Sequence, residues 1–205
     1  MEHLSITIVI IIITVLVSLG AFNNQKMMDD LIFYPPAITQ RKQWYRFLTS
    51  GFLHADYPHL IFNMLTLYFF GEMMESLYSL YLGKLGFLIF YFGGIIFSGI
   101  PSFIKHRNSY HYRSLGASGG VSAVVFAFIL FAPWEWFSFP PVPAIIYGVL
   151  YMAYSAYMSK KGSDNINHDA HLWGAIYGIA FTIIMEPKVI NLFLELVTHP
   201  KGPGG

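Results

Sequence analysis

The 205-residue chain has no cysteine. Disulfide staples, a thiol nucleophile and thiolate metal ligation are therefore excluded. Charge is also scarce. Asp, Glu, Lys and Arg make up 11% of the residues, where a soluble domain uses about 25% to coat its surface. The net charge is +1, so no bulk attraction to nucleic acid is expected. The carboxylates sit at the ends of the hydrophobic runs or in the loops between them. A pair of aspartates working inside a membrane is thus not available. What fills the chain instead is apolar: 55% hydrophobic and 18% aromatic residues. They are gathered in long runs, the pattern of a bilayer-embedded chain.

The runs predict six membrane spans, at about residues 5–22, 59–77, 84–104, 115–132, 144–158 and 168–185. No lysine or arginine precedes the first and no clear cleavage site follows it, so it reads as a retained helix. The polar stretch 23–58 is too long for a turn. Its aromatic residues suit a position on or partly in the membrane interface. A basic loop is expected at 105–113. Pro133-Trp134-Glu135-Trp136 is expected to be an interfacial anchor, and the prolines of Pro140-Pro141-Val142-Pro143 to open the fifth span. Residues 189–197 read as a short interfacial segment, and 199–205 as a disordered tail. Residues 1–198 are expected to form one domain. All six spans must be helical, because hydrocarbon leaves no other partner for the backbone and no period-two alternation is present. The fold class is all-α and polytopic. With the N-terminus inside, the outer loops carry nine of the twelve Lys and Arg residues. The positive-inside rule favours the reverse.

Polar residues inside spans are costly and mark function. Three clusters stand out. In Gly116-Ala117-Ser118-Gly119-Gly120 the serine is flanked by residues with almost no side chain. A substrate backbone can approach its hydroxyl, and N–H groups at the helix start are free to bond an oxyanion. A small-xxx-small packing face, with Gly116 and Gly120 four apart, explains the same residues. In the sixth span His171, Gly174 and Gly178 share one face; a structural histidine is the plain alternative. His59 and Asn63, four apart and preceded by His54, are hydrogen-bond donors that suit either an oxyanion or helix–helix contact. Together the clusters make a working set. Ser118 supplies a nucleophile and His171 its base. His59, Asn63 and the Ser118 and Gly119 amides supply oxyanion donors. No acid is at hand to orient His171, so a dyad is implied rather than a triad.

These residues resemble the rhomboid family. The resemblance rests on an ordered set: Trp44-Tyr45-Arg46, His54, His59-x-x-x-Asn63, Gly116-x-Ser118-Gly119 and Ala170-His171-x-x-Gly174-x-x-x-Gly178. It covers about residues 40–180. It implies a six-helix intramembrane serine endopeptidase without cofactor or metal, with the N-terminus inside. A bacterial cell membrane is expected, with an organelle membrane as the alternative, since no targeting extension or large soluble domain is read in the sequence. The substrate would be a single-pass transmembrane protein. Ser118 and His171 would be catalytic, and His59, Asn63, Ser118 and Gly119 would form the oxyanion hole. Arg46, Glu75, Gly174 and Gly178 would be structural. The fifth span and the loop before the sixth would gate entry, with Tyr147, Tyr151 and Tyr154 forming a stripe that ordinary packing also explains. One position departs from the family. An aromatic commonly stands one turn after the serine and stacks on the histidine, and here that position holds Ser122. Trp173 and Tyr177 are the nearby aromatic residues in sequence.

Other readings fit less well. A non-catalytic rhomboid-like protein binding membrane clients would normally lack the serine or the histidine. A transporter would carry charges within spans or broken helices. Gly116-x-Ser118-x-Gly120 also matches a nucleophile elbow, but that elbow needs a strand before it. His54, His59, His168 and His171 could bind a metal, yet no His-Glu-x-x-His motif is present.

Overall fold

The computed structural model describes residues 5–137, 141–162 and 166–199. The described residues are helical, with two isolated bridges, Phe33 with Ser114 and Trp136 with Pro143, as their only β pairing. In chain order the helices are α1 (Ile6–Phe22), α2 (Gln25–Leu31), α3 (Pro35–Arg41), α4 (Arg46–Thr49), α5 (Tyr57–Leu82), α6 (Gly86–His106), α7 (Ser118–Phe131), α8 (Ala144–Lys161), α9 (His168–Met185) and α10 (Val189–Thr198). A 3-10 turn, Ser50–Phe52, follows α4. Of the expected tail 199–205, His199 is described and donates its N–H to the Glu195 carbonyl at 3.0 Å, while 200–205 lie outside the described residues, as does Pro140.

The sixth expected span coincides with α9. Two expectations need correcting. The fourth run does not become helical at 115 but at Ser118. Gly116 adopts φ 124°, a value that ends any regular helix before it. The stretch 23–58 is not loop: it folds into α2, α3, α4 and the 3-10 turn. Asn24 and Pro35–Pro36 start α2 and α3, and Lys42 ends α3 in the left-handed region. Among the described residues α6 is the one helix long and apolar enough to cross a membrane on those two criteria alone. Helices α1 and α7 are apolar but shorter, at 17 and 14 residues. Helices α5, α8 and α9 are long enough but diluted by polar residues.

The chain is apolar on its outer surface as well as in its core. Leu80 is 83% exposed and Ile184 81%, within an apolar outer surface that includes Leu16, Phe69, Ile104 and Val149. Thr7, Thr14, Ser18, Ser98, Ser102, Ser122, Ser155 and Thr182 are buried. Such a surface suits hydrocarbon solvent, where polar groups seek partners inside the bundle. Tyr78 and Thr182 illustrate this, bonding at 2.6 Å between α5 and α9, with Thr182 also donating to the Gly178 carbonyl at 2.6 Å.

Helix α7 is the axis. Every residue from Gly119 to Leu130 is buried, with α5, α6 and α9 packed around it. Contact between α7 and α9 is backbone to backbone. A Cβ at Gly174 would strike the Gly119 carbonyl oxygen, and one at Gly178 would strike that of Ala123. A side chain there would force the helices apart, because neither obstacle can rotate away. On the other flank, Gly119 and Gly120 accommodate Ser98, Tyr91 and Ile95 of α6.

Gly174→Ala is expected to destabilise the detergent-purified protein by about 2 kcal/mol or more, the cost of overpacking, read as a lowered thermal midpoint. Gly20→Ala is the control, since a Cβ there meets only the Met27 side chain at 3.5 Å. Equal midpoints for the two variants would refute the tight contact.

Candidate active site

The site is assembled from the start of α7 outwards. His54 is fully buried between the 3-10 turn and α5. Its Nε2 accepts from the Ala117 N–H at 3.4 Å, and its Nδ1 lies 2.9 Å from Ser18 Oγ. Ser18 in turn donates to the Phe52 carbonyl at 2.8 Å. The directions are mutually consistent only if Nδ1 carries the proton. One relay then links α1, the 3-10 turn and the residue before Ser118. Gly116 N–H donates to Ser50 O at 3.0 Å, and Ser114 and Phe33 exchange backbone bonds at 3.0 and 3.1 Å. Burial, and after it the nearby His59, pull the His54 pKa down to about 3, against the opposing pull of Asp56.

This scaffold places Ser118 as the first residue of α7. The N–H groups of a helix's first turn have no partner within the helix, which leaves those of Ser118 and Gly119 uncommitted to α7. Gly116 is required twice over. Its φ of 124° disfavours any side chain, and a Cβ there would lie 3.0 Å from His59 Nε2 and 3.7 Å from Ser118 Oγ. His59 and Asn63 sit on successive turns of α5, which Asp56 starts by accepting the His59 N–H at 2.8 Å. The Asn63 amide donates one hydrogen to the His59 carbonyl at 3.0 Å. Its second hydrogen remains to offer.

His171 stands in the first turn of α9. Asn167 starts this helix, accepting from Ala170 N–H at 3.1 Å, and holds Ser102 at 3.2 Å and Ser114 at 2.9 Å. That single side chain ties α6 and the loop before α7 to α9. Sequence reasoning passed over it, although Asn just before a helix start is a capping signal. The nearby acid Asp169 is paired with Lys105 at 3.2 Å and bonds Ser159. Trp173 and Tyr177 pack on Phe97 of α6. The ring stacked on His171 is Tyr151 of α8, with centroids 5.7 Å apart and planes at 24°. Its hydroxyl lies 2.7 Å from Ser122 Oγ. The tyrosine stripe of α8 is thus divided: Tyr147 stacks on Tyr151 and both line the cavity, whereas Tyr154 is exposed and meets His168 edge-on.

Ser118, His171, His59 and Asn63 line one cavity of about 610 Å³, together with Ser122, Tyr151 and Asn167. A second, mainly apolar cleft of about 340 Å³ lies beside it and shares Phe62, Thr66, Val125 and Tyr147 as wall. The cleft lies between α5 and a wall made by Glu135, Trp136, Phe137 and Tyr147 of α8. Among the described residues no group of three metal-ligating side chains converges.

Arg46 and Glu75 lie elsewhere. Arg46 is buried, donating to the carbonyls of Asp29 and Ile32 at 2.8 and 2.7 Å and to Gln43 at 2.7 Å. It closes the α2–α4 segment on itself. Glu75 accepts Ser5 Oγ, Ile6 N–H and Thr7 N–H at 2.6, 2.7 and 2.8 Å, a carboxylate on the positive end of α1.

A sequence model of the rhomboid domain matches residues 41–188. The mitochondrial RHOMBOID-like protein 12 of Arabidopsis thaliana is 31% identical over 82% of this chain and 54% of its own length. The rhomboid-named protein YdcA of Bacillus subtilis is 31% identical over 71% of this chain and 69% of its own. Rhomboid protease AarA of Providencia stuartii is 27% identical over 75% and 62%. The chain spans about half to two thirds of the length of these relatives.

The His54 relay makes stability pH-dependent in a defined direction. The unfolded chain binds the proton near pH 6.5 and the folded chain only near 3. Stability is therefore complete above about 6.5 and declines as pH falls towards 3, by up to about 1.4 kcal/mol per pH unit. The thermal midpoint should fall between pH 7 and 5. In His54→Gln it should be lower at pH 7 and flatter with pH. An equally steep profile in the variant would assign the acid sensitivity to other groups.

Proposed function

The chain belongs to the rhomboid family, and on that premise we propose that it is an intramembrane serine endopeptidase. Members of this family are integral membrane proteins and generally serine proteases. The observation that carries the reading to this chain is the shared cavity. Ser118, His171, His59 and Asn63 come from three helices, yet face one shared cavity.

In the proposed reaction His171 takes the Ser118 Oγ proton as the oxygen attacks a peptide carbonyl. The oxyanion gathers donors from the Ser118 and Gly119 amides, Asn63 and His59. Collapse breaks the C–N bond, and His171 gives its proton to the leaving amine. A water then enters the cavity and loses a proton to His171. It attacks the acyl ester and releases the second fragment with Ser118 restored. The substrate is a single-pass transmembrane protein. Its helix would lie along the apolar cleft beside α5, with the scissile bond reaching the cavity that Ser118 and His171 line.

The same reading gives a single domain over residues 1–198 with six spans, α1, α5, α6, α7, α8 and α9, in a bacterial cell membrane with the N-terminus inside. The surplus of cations on the outer loops has a structural use that supports this orientation. Arg46 is buried on carbonyls, Arg113 pairs with Asp29 at 2.8 Å, and Lys105 pairs with Asp169.

Purified protein with a model single-pass substrate tests the proposal, read by gel and mass spectrometry. The wild type should cleave, and Ser118→Ala and His171→Ala should not, with unchanged thermal midpoints. Asn63→Ala should be slower by about 10²–10³-fold, as for other oxyanion donors. Cleavage by Ser118→Ala at the wild-type rate would overturn the mechanism.

A further inference from the structure

A base held in the wrong rotamer cannot reach its proton, so whatever packs on the His171 ring bears on the proposed chemistry. The position on α7 that would carry an orienting ring in the family holds Ser122 instead. In this chain the ring comes from another helix. Tyr151 of α8 lies on His171 with offset-stacked geometry. Its opposite neighbours are Tyr147, at 5.6 Å and 29°, and Phe126, at 5.8 Å and 48°. Its hydroxyl is fixed on Ser122 Oγ at 2.7 Å. A tyrosine ring has two side-chain torsions, and a contact at its tip together with packing on its flanks removes both.

From this geometry we infer that Tyr151 is the positioning residue for His171, and that Ser122 acts by anchoring the Tyr151 hydroxyl. The inference rests on the Ser118–His171 reading of the site. It has a consequence that a ring on α7 would not have. Helix α8 also walls the apolar cleft through Tyr147, so a movement of α8 that widens the cleft also draws the ring from His171. Substrate entry and the orientation of the base are thereby linked: the dyad regains its geometry when α8 returns around the bound segment.

A small fluorophosphonate probe, which reacts with an activated serine and needs no helix to enter the cleft, separates this role from simple gating. Labelling rates of Ser118 are measured for the detergent-purified full chain, with kcat and KM for a cleavable transmembrane substrate and a thermal midpoint for each variant. Tyr151→Ala should slow labelling and lower kcat about tenfold, at the upper end of what one aromatic contact contributes, with KM little changed. Tyr151→Phe keeps the ring and loses the anchor; Ser122→Ala loses the anchor from the other side. Each should be slowed about threefold, and the two together no further, because they remove the same bond. These two remain informative if Tyr151→Ala fails to fold. Unchanged or faster labelling in Tyr151→Ala, or unchanged labelling in both Tyr151→Phe and Ser122→Ala, overturns the inference and makes Tyr151 a gate or packing residue. Wild-type protein that labels no better than Ser118→Ala overturns the catalytic reading itself, and this inference with it.

Discussion

The structure depends on how closely the backbones of α7 and α9 approach each other. At Gly174 and Gly178 no side chain intervenes, and the facing atoms are the carbonyl oxygens of Gly119 and Ala123. In lipid the hydrophobic effect gives no drive for helices to associate, so close van der Waals contact must supply it. The same contact fixes the geometry of the site. Ser118 begins α7 and His171 lies one turn before Gly174 on α9. Any separation of the axes at these glycines passes directly to the distance between serine and histidine. The glycine stripe and the proposed dyad are therefore parts of one device.

A second constraint acts at the N-terminal end of α7. The chain must leave Arg113, meet the first segment through Ser114 and Phe33, turn sharply at Gly116, and present amide hydrogens to a cavity. Each step has its own fastener: a pair of backbone bonds, a positive φ, and the relay through His54 to Ser18. Holding His54 neutral lets it accept from Ala117 and donate to Ser18 at once. Protonation would remove the acceptor and leave a charge among apolar neighbours. The helices α2 to α4 are then more than a connection. Together with the buried Arg46 they form the base on which the serine loop is built.

Much of this was legible in the sequence, and the exceptions are instructive. Helix α9 was readable from its apolar run, which ends at Met185 before Pro187, although its opening residue Asn167 was passed over. The four clustered site residues were readable because a polar group costs most where its surroundings are apolar. The start of α7 was misplaced by three residues, since an apolar run does not show a backbone sign change at a glycine. The 23–58 segment was read as loop because its helices are too short for periodicity to register. The partner of His171 could not be read at all. Trp173 and Tyr177 were near in number but point to α6, while Tyr151 is distant in number and adjacent in space. Its signal was divided between a serine where a ring was expected and a tyrosine stripe with a bland explanation.

That division shows what the chemistry constrains. A flat surface against an imidazole helps to hold its plane, but nothing in the physics specifies which helix provides it. A ring on α7 would move with the serine and hold the histidine whatever α8 did. A ring on α8 is held by a single hydrogen bond to Ser122 and by stacking on its neighbours, contributions of about 1 kcal/mol each. Such contacts are strong enough to define the rest state and weak enough to yield when α8 moves. On the proposed reading of the site, serine at position 122 thus does more than relocate an aromatic group: it makes the orientation of His171 depend on a helix that also walls the apolar cleft.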